Sequence, residues 1–201
     1  MNIQIIISVP PEQSRIQYYN LNEIVNYVHF VIVKTHVLVM PDIVACSGER
    51  VSSARVFNQV VQTVNFTFRN KFAYSISVAP ETFTATSSNL WVRSTGPSKW
   101  DNYTLQPGKA HLASVCQQQA AFYSGYTECF FVSQAQSNRT FRVAALTPRV
   151  AVRSRIKRSY DDGMGIAPVM VYDIDLDDFE GNCSRDQIQS PLLEQLATAS
   201  Y

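Results

Sequence analysis

The stretch MVYDIDLDDFEG, residues 170–181, sets five carboxylates, Asp173, Asp175, Asp177, Asp178 and Glu180, directly behind an apolar run. Three kinds of chemistry use such a set. Paired carboxylates act as general acid and base, alternating ones ligate calcium, and those at a strand end accept backbone N–H groups. The calcium reading fails on spacing. Counted from Asp173, a calcium loop has acids at its third and fifth positions, Asp175 and Asp177. Its turn position, where Gly is needed, is Asp178, and its bidentate Glu position is Ser184. Capping of the loop after a strand is the reading the spacing favours.

The other reactive side chains are scattered. His29 and His36 stand seven apart; on one strand they would face opposite sides and could not share a metal. Cys46, Cys116, Cys129 and Cys183 form no close pair of the kind zinc sites use, so no metal is expected. No glycine loop of either nucleotide-binding pattern occurs among only 7 glycines, and no cofactor is expected. Four Asn-x-Ser/Thr sequons, at Asn65, Asn102, Asn138 and Asn182, together with the cysteines, point to an extracellular, glycosylated, disulfide-bonded chain. MNIQIIISVPPEQ lacks the basic start of a signal peptide, which implies that the true N-terminus lies upstream. The formal charge of +1 gives no reason to expect nucleic acid or an anionic membrane as partner, and no apolar run is long enough to span a bilayer. The basic run RVAVRSRIKR (149–158) reads as a solvated helix face. Nothing in the sequence specifies an oligomeric state.

These residues need elements to hold them. IQIIISV (3–9), HFVIVKTHVLVM (29–40), KFAYSISVAPETFTAT (71–86) and APVMVYDIDL (167–176) read as buried strands. Helical spacing appears in 18–28, in 52–70 through Val56, Phe57, Val60, Val61 and Val64, in 148–163 and in 190–200. Strand and helix alternate, which predicts an α/β fold with a parallel sheet built from βα units. Residues 87–147 are rich in Ser, Gly, Pro and Tyr, carry two short β-like runs, CFFVSQ and TFRVAAL, and read as an insertion. The expected organisation is therefore 1–86, 87–147 and 148–201.

GMGIAPVMVYDIDLDDFEGNC followed by PLLEQL resembles the final strand and helix of the glycoside hydrolase family 18 chitinases, which end in GGAM-x-W-x-x-D-x-DDF-x-G-x-C and a PLL helix. TFTAT with GPSKWDNYTLQPGKAHLASVC is similar to the family's seventh strand and inserted α+β domain, NYVHFVIVKTH to its sixth strand and IQIIISVPPEQ to its fifth. The resemblance implies strands five to eight of a TIM (β/α)8 barrel, the C-terminal half, with the insertion domain kept. The fourth strand, which carries the family's catalytic DG-x-D-x-D-x-E, has no counterpart here. DIDLDDFE cannot replace it: Ile174 stands for the motif's Gly and Leu176 for its first inner Asp.

The resemblance also assigns roles. Tyr172 takes the position of the Trp that floors the sugar pocket, His36 that of a Tyr bonding the substrate's acetamido oxygen, and Phe83 is retained, while Val37 and Ala79-Pro80-Glu81 replace the family's Asp and Tyr-Gly-Arg. For His36 itself, a hydrogen-bonded barrel histidine is expected rather than a base. Cys116 and Cys183 match the family's disulfide; Cys46 and Cys129 pair with each other, or Cys46 pairs with a half not present. The expected function is a secreted chitinase-like protein without catalysis, binding at most chitin or N-acetylglucosamine oligosaccharides. The alternatives are a fragment of an active chitinase or a degenerate remnant without a ligand. Half a barrel leaves two open sheet edges, so a marginal or aggregation-prone chain is expected.

Overall fold

The computed structural model describes residues 3–37, 53–88, 93–102, 104, 107–117, 121–124, 129–137, 139–146, 168–183, 193, 194 and 197. The chain divides into two units: Met1–Val39 with Val51–Ser77 and Lys157–Tyr172, and Met40–Arg50 with Val78–Ile156 and Asp173–Tyr201.

The first unit is built on a parallel sheet of four strands, β1 (Ile6–Val9), β2 (Phe30–Val33), β3 (Phe72–Ser77) and β9 (Val169–Tyr172), hydrogen-bonded in that order. Alternation sends Ile7, Val9, Val31, Val33, Phe72, Tyr74, Ile76 and Val169 to one face, where they join the apolar side of α3 (Ser53–Gln62). Val56, Phe57, Val60 and Val61 of α3, and Val64 just beyond it, are buried as their spacing predicts, and Phe57 meets Tyr74 edge to face at 5.9 Å. Fully burying one such side chain contributes about 1.5–3 kcal/mol. The opposite face carries Ile32, Ala73 and Ser75, also buried, which is why these strands read as continuous apolar runs.

Several elements are shorter than their sequence runs. The helix expected over 18–28 is reduced to one turn. α1 (Gln13–Ile16) precedes it and α2 (Leu21–Ile24) starts at Asn20, whose side chain bonds Glu23 at 3.0 Å. Leu21, Val25 and Val28 are still buried. The strand expected over 29–40 ends at Val33. There the Thr35 hydroxyl takes over the ladder, donating to Ser75 O at 2.5 Å and accepting from Ser75 N at 3.0 Å, and Thr35–Val37 turns into a 3-10 helix. His29 and His36 therefore do not share a strand. The helix expected over 52–70 gives way after Gln62 to a 3-10 turn, Phe66–Lys71, capped by Asn65.

The run 71–86 is two strands. Pro80, without an N–H, interrupts pairing, and β4 (Glu81–Ala85) joins the second unit. That unit is an antiparallel sheet in the order β5 (Ser94–Pro97), β4, β8 (Thr140–Leu146), β7 (Cys129–Ser137), β6 (Ala121–Ser124), with α4 (Leu112–Cys116) beside a small core of Trp100, Ala110, Val115, Val132 and Ala144. The two runs CFFVSQ and TFRVAAL are β7 and β8, paired with each other. The fold is thus mixed α/β, with one parallel and one antiparallel sheet. The helix expected over 148–163, with its basic run, lies outside the described residues, as does most of 190–200.

Candidate functional site

The C-terminal ends of the parallel strands bring four side chains together. Parallel register pairs Ser8 with Ile32, Ile32 with Ala73, Ser75 with Met170 and Ser77 with Tyr172, so Ser8, Ser75 and Tyr172 share one face. Ser8 lies on β1 and Tyr172 on β9, the two outer strands. In a flat sheet three strand spacings would separate them by about 14 Å, beyond the reach of a tyrosine. Their hydroxyls nevertheless lie 3.2 Å apart. The sheet is therefore strongly curled, and the face that carries these residues is concave.

His36 sits on this rim because β2 ends in a 3-10 turn. Its ring stacks on Tyr172 with centroids 4.2 Å apart and planes 26° from parallel. Its Nδ1 lies 2.6 Å from Ser75 Oγ, and its backbone N–H reaches the same oxygen at 3.3 Å. Ser75 Oγ donates its single proton to Val33 O at 3.1 Å. With that proton on Val33 O, Nδ1 serves as the donor to Ser75 Oγ. Ser75 is fully buried, so the imidazole is aimed by a rigid partner. The described residues of this unit contain two carboxylates, Glu12 and Glu23, engaged with Arg15 and Asn20. The cluster supplies an aromatic shelf, an oriented imidazole and hydroxyls: means for stacking and hydrogen bonding.

Tyr172 and His36 are brought together in the first unit, whereas Phe83 belongs to the second. It is half-buried in β4, paired with Val143 and Pro97 in the second unit. The five acids behind Tyr172 are divided among separate tasks. Asp173, in a left-handed conformation at φ 58°, forms an ion pair with Lys109. Asp177 is fully buried and accepts from Asp178 N at 2.9 Å and Leu193 N at 3.0 Å. Asp178, also buried, accepts from Cys183 N at 2.6 Å. Asp175 and Glu180 are exposed. Backbone capping, as the spacing favoured, occupies the two buried acids.

Cys116 and Cys183 form a disulfide with Cα atoms 5.4 Å apart. Cys46 lies outside the described residues, and the suggested Cys46–Cys129 pair with it; so does Asn138. Asn65, Asn102 and Asn182 are exposed. Among the described residues no cluster of His, Cys, Asp and Glu could hold a metal, and no helix is long and apolar enough to cross a membrane. Ser8, Thr35 and Ser75 were not singled out from the sequence. The available signal was Ser75, a hydroxyl flanked by Tyr74 and Ile76 within the strand run FAYSIS.

Solved structures of glycoside hydrolase family 18 chitinases and chitinase-like proteins share this fold. An immunomodulatory active chitinase from Trichuris suis, TsES1, matches with a TM-score of 0.77 at 11% identity, over 99% of this chain and 58% of that one. Human YKL-39, described as a pseudo-chitinase with retained chitooligosaccharide binding, matches at 0.74 with 14% identity over 99% and 58%. The Group IV chitinase of Ostrinia furnacalis, solved with allosamidin, matches at 0.71 with 16% identity over the same shares. At such identities the likeness is one of fold, and this chain spans 58% of the length of each. No family model and no curated protein matches the sequence.

Proposed function

We propose that this chain is a chitinase-like domain of glycoside hydrolase family 18 that binds N-acetylglucosamine oligosaccharides, or chitin, without hydrolysing them. Its curled parallel sheet corresponds on this reading to barrel strands five to eight, and its antiparallel sheet to the family's inserted domain. The observation that carries the reading is Tyr172 at a strand's C-terminal end, backed on one ring face by His36. A pyranose presents an apolar C–H surface that packs on the opposite ring face, while hydroxyl and imidazole groups bond its rim. The family's polar partners at this end are replaced by His36 and Val37, so hydrogen bonding to the acetamido group falls to His36. YKL-39, whose crystals contain GlcNAc4, gives a precedent in the same fold for binding of such a ligand. An extracellular setting is supported by the disulfide and the sequons.

Calorimetric titration of the purified chain with N-acetylglucosamine tetramer tests the reading. Saturable binding that Tyr172→Ala reduces about five- to thirtyfold is expected, as loss of one stacked ring removes on the order of 1–2 kcal/mol. Failure to bind any N-acetylglucosamine oligomer would sink it. Release of a fluorophore from a chitobioside substrate would overturn the non-catalytic part alone.

A further inference from the structure

We propose that Asn65 is a site of N-linked glycosylation and carries a glycan in the folded protein. The proposal rests on the extracellular reading above, because the modification takes place in the secretory lumen. Its basis is a comparison of the three described sequons. Asn65-Phe66-Thr67 is exposed throughout, in the turn that follows α3 and leads into β3. Asn65 Oδ1 accepts from Thr67 N at 3.3 Å and from the Thr67 hydroxyl at 3.2 Å. Nδ2, the atom to be modified, has no hydrogen-bond partner among the described residues.

The other two sequons differ. At Asn182 the amide Nδ2 donates to Glu180 Oε2 at 2.8 Å, and the middle residue, Cys183, is tied into the disulfide. A glycan there displaces a native bond at a cross-linked turn. At Asn102 the required hydroxyl belongs to Thr104, which is 5% exposed and bonds to Asp101 Oδ1 and Lys109 O at 3.0 and 3.1 Å. Once that turn forms, the hydroxyl is hidden. Asn65 combines an exposed amide nitrogen without a partner among the described residues with an exposed Thr67.

The transfer balances with a lipid-diphosphate-linked oligosaccharide as co-substrate. Nδ2 bonds to the anomeric carbon of the first sugar, the carbon–oxygen bond to the diphosphate breaks, lipid diphosphate leaves, and one of the two amide protons is lost. Oδ1 is untouched, so the cap on Thr67 survives. A glycan here also shields Phe66, which is 79% exposed beside the linkage. The turn precedes β3 and so lies at the N-terminal ends of the strands, whereas His36 and Tyr172 lie at their C-terminal ends; the modification leaves the sugar shelf open.

The test is expression of the full chain behind a cleavable secretion leader in a eukaryotic host, followed by peptide-N-glycosidase digestion in heavy-oxygen water and peptide mapping. Delivery by the leader separates this test from the question of whether the natural protein is secreted. Conversion of most Asn65 to labelled Asp, with far lower conversion at Asn102 and Asn182, is expected. Asn65→Asp, which keeps the capping oxygen, and Thr67→Val, which keeps the Asn, should each remove one glycan from the mobility on gels. Unmodified Asn65 in the recovered chain, or an unchanged gel shift in both variants, would overturn the proposal.

Discussion

Each unit contains a polar cluster that includes hydroxyl side chains, and the two are used in opposite ways. In the antiparallel unit Asp101 is the centre. Its Oδ1 accepts from Thr104 N and Oγ1 at 2.9 and 3.0 Å, and its Oδ2 from His111 N and Ser114 Oγ at 3.0 and 2.7 Å. The carboxylate thereby anchors the start of α4 and consumes its accepting capacity on the chain itself. In the parallel unit the centre is a neutral hydroxyl, Ser75, and what it orients is a ring, His36, stacked on a second ring. A charge fastens backbone; a hydroxyl positions side chains. Substitutions in the first cluster and its surroundings should therefore lower stability, and those in the second should chiefly alter binding.

The largest effect should come from the disulfide. Its cysteines are 67 residues apart, and Cys116→Ser with Cys183→Ser should cost about 4 kcal/mol by loop-closure entropy, read in urea denaturation. An unaffected midpoint would remove the anchoring role from this unit. Asp177→Ala comes next. It strips two buried backbone N–H groups of a charged acceptor and should cost about 3 kcal/mol, with local amide exchange accelerating around Asp178 and Leu193.

Asp101 sharpens the contrast through pH. Burial on its own pushes its carboxyl up, but the Ser114 hydroxyl, the backbone N–H groups of Thr104 and His111 and the Thr104 hydroxyl outweigh that and hold it below the usual carboxylate range. A depressed folded value means that the contribution is fully present above the unfolded value, near 4, and is lost as pH falls through the folded one. Asp101→Asn should lower stability at neutral pH by about 1–2 kcal/mol, and the gap to the parent should narrow below about pH 4. A gap that stays constant with pH would show that the anchor is not electrostatic. The smallest effect belongs to the other cluster. Tyr172→Phe removes the bond to Ser8 but keeps the ring, and should change stability by less than about 1 kcal/mol while sparing oligosaccharide affinity. A large unfolding effect here would make Tyr172 a core residue rather than a shelf.

Much of this was legible from residue order. The 3.6-residue spacing of Val56, Phe57, Val60, Val61 and Val64 foretold the buried face of α3, and the failed calcium spacing left capping for the acidic stretch, a task that in the structure falls to Asp177 and Asp178. Element ends were less legible. Thr35 ends β2 by substituting its hydroxyl for backbone in the ladder, and a run of apolar residues does not record that exchange. Likewise KFAYSISVAPETFTAT has one continuous β character, although Pro80 divides it between two sheets, β3 in the parallel one and β4, with Phe83, in the antiparallel one.

The sequence by itself determined the element types, the apolar faces and capping as the work of the acidic stretch, because periodicity and side-chain chemistry are local properties. Only the tertiary structure decided that Ser8 and Tyr172, 164 residues apart, touch, and that Ser75 aims His36 at the same ring. Those contacts depend on how far a four-stranded sheet curls, a collective geometry summed over every strand pair, which no single segment encodes.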